Sequence, residues 1–161
     1  MDCDLHSPGT VSQLHMIMWG NIALAIDVKW DTDQTQCLVI TYSSPWTWEE
    51  FDSAYTAMIP MLDDAVDKKV TLIIDIRKGG FPPPDAMPRF KRVIETRHPN
   101  VEQIIFVAPG ALAHFIRISL NILRRVYRTV GRANPPEFQF VASLEEARAL
   151  SQSESSAAAS L

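Results

Sequence analysis

Apolar and polar positions follow two different periods along this chain. Residues 70–76 (Val-Thr-Leu-Ile-Ile-Asp-Ile) make a short, almost unbroken β-branched run between Lys68-Lys69 and Arg77-Lys78-Gly79-Gly80. A run that is apolar on both faces and too short for a helix predicts a strand in the covered middle of a parallel sheet. Residues 103–108 (Gln-Ile-Ile-Phe-Val-Ala) repeat the pattern and belong beside it. Residues 22–30 and 36–42 are also strand-like, and the turn-rich segment Asp31-Thr32-Asp33-Gln34-Thr35 between them predicts an antiparallel hairpin. A fifth strand over 137–141 alternates, as an edge or half-covered strand does.

The other period is helical. Trp48, Phe51, Tyr55, Met58 and Leu62 recur at spacings of three and four, with Glu49, Glu50, Asp52 and Asp63 turned away. Thr47 and Glu50 form a capping box, and Trp46 with Phe51 has hydrophobic-staple spacing, so this helix starts at Trp48. Pro60 predicts a kink or an early stop, because it removes one backbone donor and crowds the preceding turn. A second helix is expected over 85–97 and ends at His98-Pro99-Asn100. The longest covers 111–130, with Leu112, Phe115, Ile116, Ser119, Ile122, Leu123, Val126 and Val130 as its inward stripe, flanked by Leu120 and Tyr127. Gly131 is its C-cap, with Pro135-Pro136 beyond. Ser143 and Glu146 repeat the capping box for a short closing helix.

The order β-β-α-β-α-β-α-β-α gives an α/β protein with a single mixed β-sheet of about five strands and helices packed against it. One domain is expected over 14–150, after a loose leader over 1–13 and before a Ser/Ala-rich disordered tail over 151–161. Size agrees, since 161 residues suffice for one core without a staple.

Composition changes this picture little. With 47% apolar and 21% charged residues the chain is an ordinary globular sequence, not a disordered one. Cys3 and Cys37 make neither a disulfide framework nor a metal pattern, and a reducing, cytoplasmic setting is the simplest reading. The apolar patch at 14–26 is broken by Gly20 and Asn21 and has no basic residues before it, unlike a signal peptide or a membrane span. Charge is segregated: residues 1–67 hold eleven acids against Lys29 alone, and residues 68–132 hold thirteen bases against Asp75, Asp85, Glu95 and Glu102. In a folded domain such halves pair or intersperse.

Several strings resemble the STAS-like proteins, in particular the SpoIIAA-like group: Trp46-Thr47-Trp48-Glu49-Glu50-Phe51, the Asp75-Ile76-Arg77 end of the central strand, residues 101–107, and Ser143-Leu144-Glu145-Glu146-Ala147. The resemblance covers about residues 20–150 and rests on hydrophobic pattern and element order. It implies a small cytoplasmic, non-catalytic domain that binds a protein partner, itself included, or an apolar small molecule. Phospho-switch members carry a serine just after the central strand. Residues 76–85 here contain no Ser or Thr, which speaks against that switch and against the role of anti-sigma-factor antagonist.

In open α/β sheets ligands sit beyond the carboxyl ends of the strands. The loops there supply Trp46, Arg77, Phe81 and His114, the residues expected to line a cleft for an apolar ligand. Asp75, Arg77 and His114 could instead serve a small enzyme at the same strand ends. The Gly79-Gly80 pair invites a phosphate cradle, but Pro82, Pro83 and Pro84 lack N–H groups and Asp85 repels an anion, so a rigid Pro-rich loop is the expectation. No histidine pair has metal-ligand spacing, and no nucleophile elbow is present, so neither a metal nor a cofactor is expected. Arg117, Arg124, Arg125, Arg128 and Arg132 could hold the long helix on an anionic membrane. That helix needs its apolar stripe for the sheet, however, and lacks the aromatic-basic interleaving of an RNA reader. Nucleic acid is therefore not an expected partner, and membrane attachment ranks behind binding of protein or apolar ligand.

Overall fold

Right-handed crossovers repeated in one direction across a parallel sheet put all their helices on one face, and this rule organises the molecule. The computed structural model describes residues 24–34, 36–65, 68–129 and 138–158. The elements are β1 (Ile26–Trp30), β2 (Cys37–Ser43), α1 (Trp48–Asp63), β3 (Val70–Lys78), α2 (Ala86–Glu95), β4 (Val101–Val107), α3 (Gly110–Thr129), β5 (Phe138–Val141) and α4 (Leu144–Ala158). The strands lie in the order β1-β2-β3-β4-β5. β1 is antiparallel to β2, and the other neighbours are parallel. The expected α/β class, mixed five-strand sheet and element order are all present, and β3 is its middle strand.

Alternation along each strand then sorts the side chains. Leu38, Ile40 and Tyr42 of β2, Leu72 and Ile76 of β3, and Ile104 of β4 form one large core with Phe51, Met58 and Leu62 of α1 and Leu112 of α3. Cys37, Val39, Ile73, Ile105 and Val107 point the other way and are covered by Ala147, Leu144 and Leu150 of α4. Because both faces are covered, β3 and β4 read as continuous apolar runs in the sequence.

The cap signals hold in detail. The Glu50 amide donates to Thr47 Oγ1 at 3.2 Å and the Thr47 amide to Glu50 Oε2 at 2.7 Å, while Trp46 packs on Phe51 at a ring distance of 6.2 Å. At α4 the Glu146 amide donates to Ser143 Oγ, and Glu146 Oε2 accepts from the Ala142 amide. The charge halves also meet, through Arg89 and Arg92 with Asp52; beyond that pairing, Arg148 of α4 holds Asp31 and Asp33 of the β1–β2 turn, and Lys69 pairs with Glu102 inside the basic segment.

Three expectations are corrected. α1 does not stop at Pro60 but runs to Asp63: the proline costs only its own amide bond to the Thr56 carbonyl, and just three helical residues follow it. The stretch read as a disordered tail from Ser151 begins inside α4, where Ser151 is buried and its hydroxyl lies 2.9 Å from Cys37 Sγ. The inward stripe of α3 centres on Leu112, Ile116 and Leu120, while Phe115 and Ile122 are exposed. The leader, the start of the 22–30 strand, Gly131, Arg132, Pro135-Pro136 and the end of the tail lie outside the described residues, as do the side chains of Leu123, Arg124, Val126, Tyr127 and Arg128.

Candidate functional site

The strand ends on the three-helix side of the sheet enclose a cavity. Tyr42 is the last inward-facing residue of β2, and the following turn brings Trp46 against it, with the two rings edge to face at 5.3 Å. Trp46 is fixed further by its indole N–H, which donates to the Gly79 carbonyl at 2.8 Å. Opposite Tyr42 the β2–β3 ladder slips: Thr41 faces Asp75 but Ser43 faces Lys78, so β3 carries one extra residue there. Such a bulge bends the strand and re-aims side chains at a sheet's functional rim.

The cavity behind these residues has a volume of about 160 Å³. Its floor is the sheet, through Ile74, Ile104 and Phe106, and its walls are α2 (Met87, Phe90) and α3 (Ile116, Leu120). α2 is strongly amphipathic yet has no fully buried residue; its apolar side both packs on the core, Phe90 meeting Trp48 and Phe51 edge to face, and lines this free volume. No lining residue is charged. Among the lining side chains, polar atoms come from Tyr42, Trp46 and Ser119 alone, and the Ser119 hydroxyl donates to the Phe115 carbonyl of its own helix at 3.1 Å.

Of the residues the sequence proposed, Trp46 lines this cavity. Phe81 does not line it, but its neighbours Gly80 and Pro82 do, and its ring meets Phe115 edge to face at 5.8 Å. That contact joins the β3–α2 loop to α3 beside the opening. His114 is exposed on α3 and contributes nothing to the lining. Arg77 is not a lining residue either. Strand alternation sends it, with Asp75, toward the face covered by α4, where Asp75 chiefly, and more weakly Glu145 of α4, act on it. Asp75, Arg77 and His114 therefore flank the sheet from opposite sides and do not converge on a common point.

Asp75 and Arg77 make a pair of their own. The guanidinium donates through Nε at 3.0 Å and Nη2 at 2.7 Å, and the Arg77 amide adds a third bond at 3.1 Å. Burial pushes the Asp75 carboxyl up, but the hydrogen bonds and positive charge of Arg77, with Lys78 behind, outweigh it and hold the carboxyl below the ordinary aspartate value. A depressed folded-state pKa stabilises the fold above the unfolded-state value and ceases to do so as pH falls through the folded one. Asp75→Asn is thus expected to lower stability at neutral pH by about 1–2 kcal/mol, discounted because Arg77 is half exposed. It should also flatten the loss of stability below about pH 4. Urea midpoints of both proteins between pH 3 and 7 check this, and identical acid limbs would contradict it.

What the sequence reading missed is Tyr42 and the aromatic floor of Phe106 and Phe138. Tyr42 is the last inward position of the Leu38–Ile40–Tyr42 alternation, so the strand pattern combined with the nearby Trp46 was the available signal. Among the described residues no three His, Cys, Asp or Glu side chains gather to hold a metal ion, and no helix is long and apolar enough to cross a membrane. Comparisons of the chain with protein-family models, with curated proteins and with solved structures each return no match.

Proposed function

We propose that this chain is a non-catalytic, STAS-like binding domain that holds a small apolar molecule between its sheet and helices α2 and α3. The observation that carries the reading is the uncharged, almost wholly apolar cavity of about 160 Å³ walled by Trp46, Phe51, Phe90 and Phe106. An apolar cavity of about 150 Å³ stays dry and accepts one benzene-sized guest. Ligand pockets share this composition, predominantly apolar with a few placed polar groups. The STAS-like assignment is supported by the order of elements, the mixed sheet and the unequal covering of its two faces. The enzymatic alternative loses its support, because its three residues sit on opposite sides of the sheet.

Ethylbenzene is expected to bind, giving a saturable heat in isothermal titration calorimetry and a change in Trp46 fluorescence. Ser119→Phe puts a benzene-sized ring into the cavity from α3, where the lost hydroxyl bonded only its own helix. That variant should remain folded and lose ethylbenzene binding by at least about tenfold. Binding that survives the filled cavity places the guest elsewhere and removes the proposal.

A further inference from the structure

Every polar side-chain atom on the cavity wall has a protein partner except one. The Trp46 indole N–H is taken by the Gly79 carbonyl and the Ser119 hydroxyl by the Phe115 carbonyl. Tyr42 is 9% exposed, its ring lines the cavity, and among the described residues its hydroxyl makes no hydrogen bond. The oxygen is not sealed off, since among the described residues the buried side-chain polar atom without a partner is the Gln103 amide nitrogen, and an unengaged donor beside an apolar cavity is open to a guest's acceptor. A resident water is a poor answer. It wants two to four polar partners, and this wall offers Tyr42 and, beyond it, atoms already engaged.

Resting on the reading of the cavity as a ligand site, we propose that its guest is an uncharged, single-ring or short-chain molecule with one carbonyl or ether oxygen, and that this oxygen accepts a hydrogen bond from the Tyr42 hydroxyl. The size follows from the volume. The absence of charge follows from the wall, which offers no Lys, Arg or His to a carboxylate and no Asp or Glu to an amine, so burying an ion there is prohibitive. Polarity is limited to one acceptor because one donor is unengaged. Burial pushes the Tyr42 phenol above its ordinary value, so the group remains a donor across the neutral range. The residue is also held in place: Trp46 lies against one side of its ring, and the Gly79 backbone approaches its Cβ so closely that no side chain fits between them. Discrimination by such a site is one-sided. A guest without the oxygen still binds through the apolar wall, whereas one with a charge does not enter.

The test compares acetophenone, ethylbenzene and benzoate on the full chain and on Tyr42→Phe, which deletes only the unpartnered hydroxyl and keeps the ring. Calorimetry is expected to show acetophenone about tenfold weaker on the variant, ethylbenzene unchanged or slightly tighter, and benzoate bound by neither. The carbonyl stretch of ¹³C-labelled acetophenone should move to lower wavenumber on the wild-type protein and return toward its free value on the variant. If ethylbenzene binds but acetophenone affinity and carbonyl frequency are the same on both proteins, the role of Tyr42 is overturned and the cavity reading stands. Benzoate binding as tightly as acetophenone overturns the neutrality of the guest. If neither ethylbenzene nor acetophenone binds the wild-type protein, the cavity reading itself falls, and this inference with it.

Discussion

Ile105→Ala is expected to lower the unfolding free energy by about 3–4 kcal/mol, near the upper range for loss of a buried branched side chain. The same change one residue earlier, Ile104→Ala, should cost about 2 kcal/mol. The residues share a strand and a side-chain type, and they differ in what surrounds them. Ile105 is wholly buried, pairs across the sheet with Ile73, and shares its cluster with Cys37, Val39 and Val107 beneath Ala147 of α4. None of those neighbours can move far into a void, because most are anchored in the central strands and Ala147 has no longer side chain to extend. The cavity term is then felt in full. Ile104 points to the other face and lines the existing free volume, so part of its surface has no partner atoms to lose. Urea unfolding of both variants checks the difference. Ile104→Ala should also enlarge the ligand cavity and admit guests longer than ethylbenzene. Equal destabilisation at the two sites would mean that the volume under α2 and α3 is packed in solution, which would argue against a ligand site there.

The contrast between these neighbours also shows what the sequence could disclose. Period-two alternation and the doubly apolar runs of β3 and β4 made the sheet legible, and the capping boxes at Thr47 and Ser143 placed two helix starts to the residue. Those signals are local: each depends on residues no more than a few positions apart. The faces of the sheet were harder to read. An apolar run covered on both sides says nothing about which side is packed and which is hollow, so Ile104 and Ile105 look alike in sequence. Arg77 and His114 were attractive because both follow strand ends, but proximity along the strand ends does not fix the side of the sheet. Parity along β3 sends Arg77 toward α4, and the crossover rule sends α3 to the opposite face. Phe115 and Ile122 entered the helix stripe because spacings of three and four admit two adjoining faces, and only the contact with the sheet selects Leu112, Ile116 and Leu120. Within the Gly-Gly pair the first glycine is needed for Tyr42, a residue 37 positions earlier, which no local pattern announces.

That glycine gives the second large effect. A Cβ added at Gly79 would stand 2.6 Å from the Cβ of Tyr42 and 3.6 Å from the Ile76 backbone. Both carbons of the close pair are fixed directly by main chain, Tyr42 in β2 and Gly79 in the turn that follows β3, so relief requires the backbone there to shift and cannot come from a rotamer change. Gly79→Ala is expected to cost about 2–3 kcal/mol and Gly79→Val more, as overpacking in a rigid surround does. The Gly79 amide donates to the Ile76 carbonyl, and the Gly79 carbonyl receives the Trp46 indole N–H. A backbone displacement there therefore reaches both aromatic residues that frame the cavity. Two further glycines separate the causes. Gly80→Ala meets the Ser44 side chain at 3.3 Å and has a φ of +64°, so its cost should be about 1 kcal/mol of backbone strain. Gly110→Ala meets nothing within 4 Å and lies in the first turn of α3, where alanine should be neutral or stabilising. If the cavity is the ligand site, Gly79→Ala weakens ethylbenzene binding along with stability, while Gly110→Ala leaves both intact. A Gly79→Ala protein with lowered stability and undiminished affinity would separate the site from the Tyr42–Trp46 frame and move it deeper, toward Phe106 and Phe138.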